Sequence, residues 1–240
     1  MVNKPRRRKQ GGHGRTYLVL GIILVLVVAG VSYAYVAGLG PFKPPTSATS
    51  TTFSTSTVTT KTATTTTSLT GSLLYARVNT TVGSFDVELF NSLMPKTVAN
   101  FVNLVNQGFY NNLVWHRIVK SFVIQTGDPA TRNGGGNRAD WGYNSSGVYI
   151  PFEYNASLHN DEYYLGMAST GAKVGGSSQF YINLANNTSL DGSYAVFGKV
   201  ISGFSVVQAL GKVPVETVGN VADEPVTPVY VTSITMISGP

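Results

Sequence analysis

Residues 115–128 read WHRIVKSFVIQTGD and form the most informative stretch of this chain. Aromatic and β-branched residues dominate two runs, Leu113–Val119 and Phe122–Thr126, which predicts two short strands. Arg117 lies among apolar neighbours, where a guanidinium is costly to desolvate unless it has a partner. It therefore belongs either to a buried structural salt bridge or to a site that receives a ligand.

The second run also predicts which side chains share a face. Alternate residues of a strand point to the same side. Phe122 and Ile124 should therefore point one way. Val123 and Gln125 should point the other way, which separates a polar position from the predicted core.

The rest of residues 71–240 predicts a mainly β domain with two helices. Pro95 opens a helical pattern whose apolar residues recur every three or four positions until Gly108. The segment Gly203–Leu210 predicts a second, shorter helix. The further predicted strands are Leu74–Thr80 and Ser84–Phe90, which form a hairpin, then Leu165–Ser169 and Val229–Ile237.

The segment Thr131–Tyr143 is rich in glycine, a feature that some phosphate-binding loops share. Such a loop needs a strand before it and a helix N-terminus after it. No helical pattern follows Gly142, so a surface loop is predicted instead. Residues 144–162 predict irregular chain, in which Glu153 is expected to be an exposed loop charge.

Four groups of residues resemble, in the same order, the motifs of the cyclophilins. The central stretch is similar to their F-H-R-I/V and F-M-I/C-Q-G-G-D pattern, and the Pro95 helix with the Gly108-Phe109-Tyr110 turn precedes it as in that family. Further along, Gly175–Asn183 is similar to G-S-Q-F-F-I. Residues 190–200 match L-D-G and V-F-G-K-V, so the resemblance spans about residues 73–238.

The resemblance implies a fold and an activity. Cyclophilins are closed eight-stranded antiparallel barrels with two capping helices, and they are peptidyl-prolyl cis-trans isomerases. Rotation about an Xaa-Pro bond crosses a barrier of roughly 18–20 kcal/mol set by amide resonance. It requires no covalent step, so no cofactor and no metal are expected, only tighter binding of the twisted amide than of the planar one.

Matching by motif assigns the site residues. Arg117 and Gln125 would be catalytic, the guanidinium donating to the proline nitrogen as the amide twists and the glutamine holding the substrate carbonyl. Gln179 would lie behind Arg117 or contact backbone, and backbone groups of Ala168 and Ser169 would pair with the residue before proline. The pocket for the proline ring would be lined by Phe122, Val123, Tyr181, Leu190 and Tyr194.

Several positions depart from the family pattern. Many cyclophilins have Met at Val123, Phe at Tyr181, Trp at Ser189 and His at Tyr194. Activity with altered efficiency or sequence preference is therefore expected, together with weak affinity for cyclosporin. His116 should face away from Arg117 on its strand and act as a structural hydrogen-bonding residue.

Charge is distributed unevenly along the chain. Residues 1–70 carry eight Lys/Arg and no Asp/Glu, whereas residues 71–240 carry nine and eleven. The basic character thus belongs to the N-terminal part, which disfavours a nucleic-acid-binding domain. The absence of cysteine excludes disulfides, thiol nucleophiles and thiolate zinc sites, and the three histidines show no metal-ligand spacing.

The first 39 residues predict a membrane anchor. A basic tail, residues 1–16, precedes the uncharged run Tyr17–Leu39, which as a helix spans about 34 Å at about 1.5 Å per residue. A bilayer core is about 30 Å thick. The basic tail should stay in the cytoplasm and place everything after residue 40 outside it, as a single-pass membrane protein. A cleaved signal peptide is the alternative, although the apolar run is long for one.

Residues 40–70 predict a disordered stalk, because a tract dominated by Ser and Thr has little to bury. It is either a plain spacer or an O-glycosylated tether. Five Asn-x-Ser/Thr sequons begin at Asn79, Asn144, Asn155, Asn186 and Asn187. With the lack of cysteine, these features suggest a prokaryotic surface protein, and an archaeal one in particular.

Three functions remain open. The first is a membrane-tethered isomerase, monomeric in its domain 71–240, acting on Xaa-Pro segments of unfolded or surface polypeptides. The second is a peptide-binding chaperone or assembly module that has lost turnover. The third, a surface adhesin on a stalk, does not explain the combination of Arg117, Gln125 and Gln179.

Overall fold

The computed structural model describes residues 73–240, which fold into eleven strands and two α-helices. The helices are α1, Pro95–Asn106, and α2, Phe204–Leu210. The strands are β1 Leu74–Thr80, β2 Gly83–Leu89, β3 Leu113–Val114, β4 Arg117–Val119, β5 Val123–Thr126, β6 Tyr164–Met167, β7 Phe180–Asn183, β8 Val196–Ser202, β9 Val215–Val218, β10 Val221–Pro225 and β11 Tyr230–Ile237.

Nine strands form one antiparallel sheet in the order β3-β11-β1-β2-β8-β6-β7-β5-β4. The remaining pair, β9 and β10, forms a separate two-stranded sheet. The prediction of a mainly β domain with two helices is confirmed. The prediction of a closed eight-stranded barrel is wrong, because the large sheet has nine strands and two free ends, β3 and β4.

Side chains near β3 hydrogen-bond the backbone at the gap between the two ends of the sheet. Only Trp115 and His116 separate β3 from β4. The Cα atoms of Val114 and Arg117, at the two ends of the sheet, can therefore be at most about 11 Å apart. The Val114 carbonyl accepts a hydrogen bond from Thr126 Oγ1 at 2.9 Å. The Val114 amide donates to Thr131 Oγ1 at 3.0 Å. Threonine side chains thus satisfy backbone groups at this gap, and the sheet forms a half-barrel.

Residues 113–126 form three strands, whereas the sequence predicts two. The run Leu113–Val119 is split at Trp115 and His116, because its two halves pair with opposite ends of the sheet. Phe122 lies in the turn before β5 and not within the strand.

The core lies between α1 and the inner face of the sheet. Val98, Phe101 and Val105 of α1 are buried there, as their helical spacing predicts. Phe101 packs edge-on against Phe180 of β7, with 5.4 Å between the ring centroids. Burial of each such side chain contributes about 1.5–3 kcal/mol. Ile124 belongs to this core, whereas Val123, although buried, does not.

Glu153 is not the exposed loop charge that the sequence predicts. Its carboxylate accepts hydrogen bonds from the Lys96 and Thr97 amides at 3.0 and 2.6 Å, and from Thr97 Oγ1 at 2.7 Å. These amides belong to the first turn of α1, where N–H groups lack helical partners. A carboxylate brought from a distant loop therefore caps the helix.

The β9–β10 hairpin was not predicted, and it anchors the glycine-rich loop. Arg138 of that loop pairs with Glu224 at 3.0 Å and with Glu216 at 2.9 Å. Its guanidinium also lies over the Trp141 ring, 5.5 Å from the centroid. Trp141 is buried, so the predicted surface loop is held firmly against the domain.

The predicted basic tail 1–16, membrane anchor 17–39 and stalk 40–70 all lie outside the described residues. Within residues 73–240, no helix has both the length and the apolar character needed to cross a membrane.

Candidate active site

One row of paired residues crosses four strands on the outer face of the sheet. Arg117 of β4 stands opposite Gln125 of β5, which stands opposite Tyr181 of β7. Tyr181 in turn pairs with Gly166 of β6. Paired residues of antiparallel strands share a face, so sheet register alone places Arg117, Gln125 and Tyr181 side by side.

Arg117 is partly buried and is not held by a carboxylate. No ion pair forms at its guanidinium within the described part of the chain, and its one hydrogen bond, from Nη1 to Gln125 Oε1, is long at 3.5 Å. Burial lowers the pKa of Arg117, while the nearby Asp223 and Tyr194 raise it. Since a guanidinium has five N–H donors, most of them remain available to a ligand.

A chain of amide hydrogen bonds extends from Arg117 to the glycine-rich loop. Gln125 Nε2 donates to Gln179 Oε1 at 2.8 Å. Gln179 Nε2 donates to the carbonyls of Gly142 and Asn144 at 2.9 and 2.6 Å. Gln179 thus contacts backbone, which is one of its two predicted positions, and its bond to Gln125 fixes the orientation of that side chain.

Asp128 supports this arrangement, and sequence reasoning gave it no role. It is fully buried, and its Oδ2 accepts from the amides of Gly142 and Asn144 at 2.6 and 3.2 Å. Its Oδ1 accepts from the Ala130 amide at 2.8 Å. Asp128 and Gln179 therefore hold the same two loop residues, one through N–H groups and the other through carbonyls.

The predicted pocket residues approach this row from two sides. Val123 shares the outer face of β5 with Gln125 and is buried there, and Phe122 lies half-buried in the preceding turn. Tyr194 packs edge-on against Tyr181, with 6.3 Å between ring centroids. Leu190 is half-buried in the same loop as Tyr194, whose amide donates to the Leu190 carbonyl at 3.2 Å.

The predicted backbone contacts are only partly available. The Ala168 amide donates to the Gln179 carbonyl at 2.9 Å and continues the β6–β7 pairing. It therefore cannot also bind a peptide, which leaves the Ala168 carbonyl and the backbone of Ser169 as the predicted contacts. The adjacent Ser169 is half-buried, and its hydroxyl donates to the Gly171 carbonyl at 2.7 Å.

His116 is buried next to Arg117, and its ring lies beside the Val114 backbone and the Gln179 side chain. Its predicted structural hydrogen-bonding role stays a prediction. Burial lowers the pKa of His116 to about 4, with a further lowering by Arg117, whereas Asp128 and hydrogen bonding with Val114 and Gln179 raise it. The imidazole is therefore neutral near pH 7.

Two grooves elsewhere on the domain do not include Arg117. One, of about 490 Å³, lies between the Lys120–Ser121 turn and Lys212 beyond α2. The other, of about 290 Å³, lies beside Phe90 and Tyr164.

Comparison with known proteins agrees with the motifs and the fold. Residues 75–236 match the family model for the cyclophilin type peptidyl-prolyl cis-trans isomerase. The chain is 42% identical over 136 residues to a protein of Aspergillus oryzae named peptidyl-prolyl cis-trans isomerase-like 1, covering 56% of this chain and 80% of that one.

Solved structures give the same result. The crystal structure of a cyclophilin type peptidyl-prolyl cis-trans isomerase of Cryptosporidium parvum is 31% identical, with a TM-score of 0.60 over 70% of this chain and all of that one. A second structure of that protein, in the presence of the dipeptide Ala-Pro, matches with a TM-score of 0.58 over 69% and 99% of the two chains at the same identity. These relatives are eukaryotic and give no support to an archaeal source. On the strength of the family match over most of its length, this chain belongs to the cyclophilin type peptidyl-prolyl cis-trans isomerases.

Proposed function

We propose that this chain isomerises Xaa-Pro bonds in unfolded or surface polypeptides, with Arg117 stabilising the twisted amide. The observation that carries the proposal is the guanidinium of Arg117. It is partly buried on the outer sheet face, makes no ion pair in residues 73–240, and stands in register with Gln125 and Tyr181.

The chemistry needs little beyond this arrangement. When an Xaa-Pro bond twists, resonance is lost and the proline nitrogen regains a lone pair. A guanidinium donor aimed at that nitrogen binds the twisted amide more tightly than the planar one, which lowers the barrier. Partial desolvation of Arg117 strengthens this interaction, because its charge is screened less than in water.

The neighbouring residues would hold the substrate in place. Val123, Phe122, Tyr181, Leu190 and Tyr194 supply apolar surface for the proline ring. Gln125, fixed by Gln179, would donate to the substrate carbonyl, and the Ala168 carbonyl would accept from the residue before proline. The Ala-Pro dipeptide present with the Cryptosporidium relative has the smallest Xaa-Pro sequence that this arrangement requires.

A prolyl-isomerisation assay on the full chain in detergent tests the proposal. Arg117→Ala should lower kcat/KM by about a hundredfold to a thousandfold, which is the usual loss when a preorganised donor is removed. Arg77→Ala is the matched control, because Arg77 pairs with Asp86 at 2.7 Å on β1 and β2, away from the site. Equal rates for the wild type and Arg117→Ala would contradict the proposal.

A peptide-binding module without turnover is the second candidate. Val123 and Tyr181 differ from the family pattern at the apolar surface, so the contacts to the proline ring differ there. If the wild-type protein binds an Xaa-Pro peptide but does not speed its isomerisation, the result would favour this module over the enzyme.

A further inference from the structure

A buried polar cluster lies behind the proposed proline pocket. Asn160 and Asn183 are fully excluded from solvent, and Asn187 is nearly so. Asn187 Nδ2 donates to Asn183 Oδ1 at 2.8 Å, and Asn183 Nδ2 donates to the Tyr164 carbonyl at 3.0 Å. Burial of amides is costly unless they are hydrogen-bonded, so the cluster is closely specified.

Tyr181 connects this cluster to the pocket. Its hydroxyl donates to Asn160 Oδ1 at 2.7 Å. Its ring crosses the facing strand so closely that a Cβ at Gly166 would lie 2.1 Å from Cζ. The ring therefore has little room to move, and its hydroxyl is directed into the buried cluster.

Asp191 connects the same cluster to the loop that carries Leu190 and Tyr194. Its Oδ1 accepts from the Asn160 amide at 2.7 Å and from Asn160 Nδ2 at 3.1 Å. Its Oδ2 lies 3.0 Å from Nδ1 of His159. One asparagine and one carboxylate thus fix the relative positions of β7 and the loop around residues 188–194.

We propose that Asn160 and Asp191 are positioning residues that set the width of the proline pocket and so select the ring size of the substrate. Asn160 binds the Tyr181 hydroxyl and keeps the aromatic face towards the substrate. Asp191 binds Asn160 and so holds Leu190 and Tyr194 at a fixed distance from Tyr181. The inference rests on the proposed function, since it concerns the same pocket.

The physical reason lies in the Tyr181 hydroxyl. Without a partner, this group would either remain buried and unsatisfied or turn towards the proposed proline pocket, where it would place a polar atom against the proline ring. A pocket whose wall is fixed discriminates by shape, and one methylene can change binding by roughly tenfold or more. A pocket whose wall moves accepts a larger ring with less penalty.

A binding experiment on the full chain tests this. Two peptides are compared that differ only in having proline or its six-membered homologue, pipecolic acid, and the ratio of their Kd values is measured. The variants are Tyr181→Phe, Asn160→Ala and the double variant. Asn186→Ala is the control, because Asn186 is an exposed asparagine whose Oδ1 accepts only the Glu162 amide, at 2.9 Å.

We expect the wild type and Asn186→Ala to prefer proline to the same extent. Asn160→Ala should reduce that preference by about threefold to tenfold, the usual effect of one lost buried hydrogen bond. In the Tyr181→Phe background the same substitution should have a smaller effect, since the hydroxyl is already absent. The fraction folded is checked by thermal unfolding, because loss of fold would weaken both peptides alike.

Equal effects of Asn160→Ala in the two backgrounds would overturn the inference, as would an unchanged preference or a failure of the wild type to bind either peptide. The result is independent of turnover, so the inference and the proposed catalysis can fail separately. Where the wild type turns over, Asn160→Ala should raise KM for the proline peptide more than it lowers kcat.

Discussion

His116 illustrates how the burial of one residue makes stability depend on pH. Its folded pKa is about 4, below the ordinary value of 6.5, so between these values the unfolded chain binds a proton that the folded chain does not. Stability from this group is therefore complete above about pH 6.5 and is lost as pH falls towards 4. The full effect is about 3 kcal/mol.

Urea unfolding of the wild type and His116→Gln at several pH values measures this effect. The wild type should lose stability between pH 6.5 and 4, and the variant should lose clearly less over the same range, whatever its stability at pH 7. Parallel pH profiles for the two proteins would show that His116 does not carry the dependence.

The functional role of a residue can be predicted from the sequence where its type is unusual for the segment around it. Arg117 and Gln125 stood out as polar positions in apolar strands, and the structure places them in register. Asn160 gave no such signal, because asparagine is ordinary in an irregular segment. Its role depends on Asp191 and Tyr181, which come from other parts of the chain.

At the scale of elements, α1 shows how a distant loop completes a helix. Pro95 supplies the start, but the residue before it, Met94, makes no side-chain cap. Glu153 provides the cap through three hydrogen bonds and also places a negative charge at the positive end of the helix dipole. No local pattern around Pro95 indicates that Thr97 has a partner 56 residues further along the chain.

Glu153→Ala should therefore lower the free energy of unfolding by about 1–2 kcal/mol, the usual cost of a lost N-terminal cap. Chemical denaturation of the full chain measures the change. Glu162→Ala removes an exposed carboxylate from another loop and should change stability by less than about 0.5 kcal/mol. Equal losses for the two variants would show that Glu153 does not cap α1.

Strand existence was predicted better than strand boundaries. Aromatic and β-branched residues run continuously through Leu113–Val119, so their pattern does not show that the two halves join different neighbours. The β9–β10 hairpin was missed because its strands are short, carry Glu216, Asp223 and Glu224, and end at Pro225. Its position depends on pairing with Arg138, which is a tertiary contact.

At the scale of the whole molecule, the sheet curls without closing. Composition and strand pattern predict a mainly β fold, but they do not show whether a last ladder forms beside Val114. There, Thr126 and Thr131 provide hydrogen bonds to the backbone. Such competition between side chain and ladder is not visible in a hydrophobic pattern.

The membrane anchor predicted at residues 17–39 belongs to the same scale. An uncharged helix of about 34 Å would hold the chain in a bilayer even in alkaline carbonate. We expect the expressed full chain to remain in the carbonate-washed membrane fraction and its C-terminal domain to be cleaved by protease added outside intact cells. Release by carbonate, or protection of the domain until the cells are broken, would contradict this topology.

The most direct test of the central claim is the exchange rate of a bound Xaa-Pro peptide, measured by NMR with the full chain and with Arg117→Ala. If Arg117 acts on the twisted amide, Kd for the peptide should stay nearly the same while cis-trans exchange on the protein slows by about a hundredfold or more. An unchanged exchange rate in Arg117→Ala, or a loss explained entirely by weaker binding, would contradict the account.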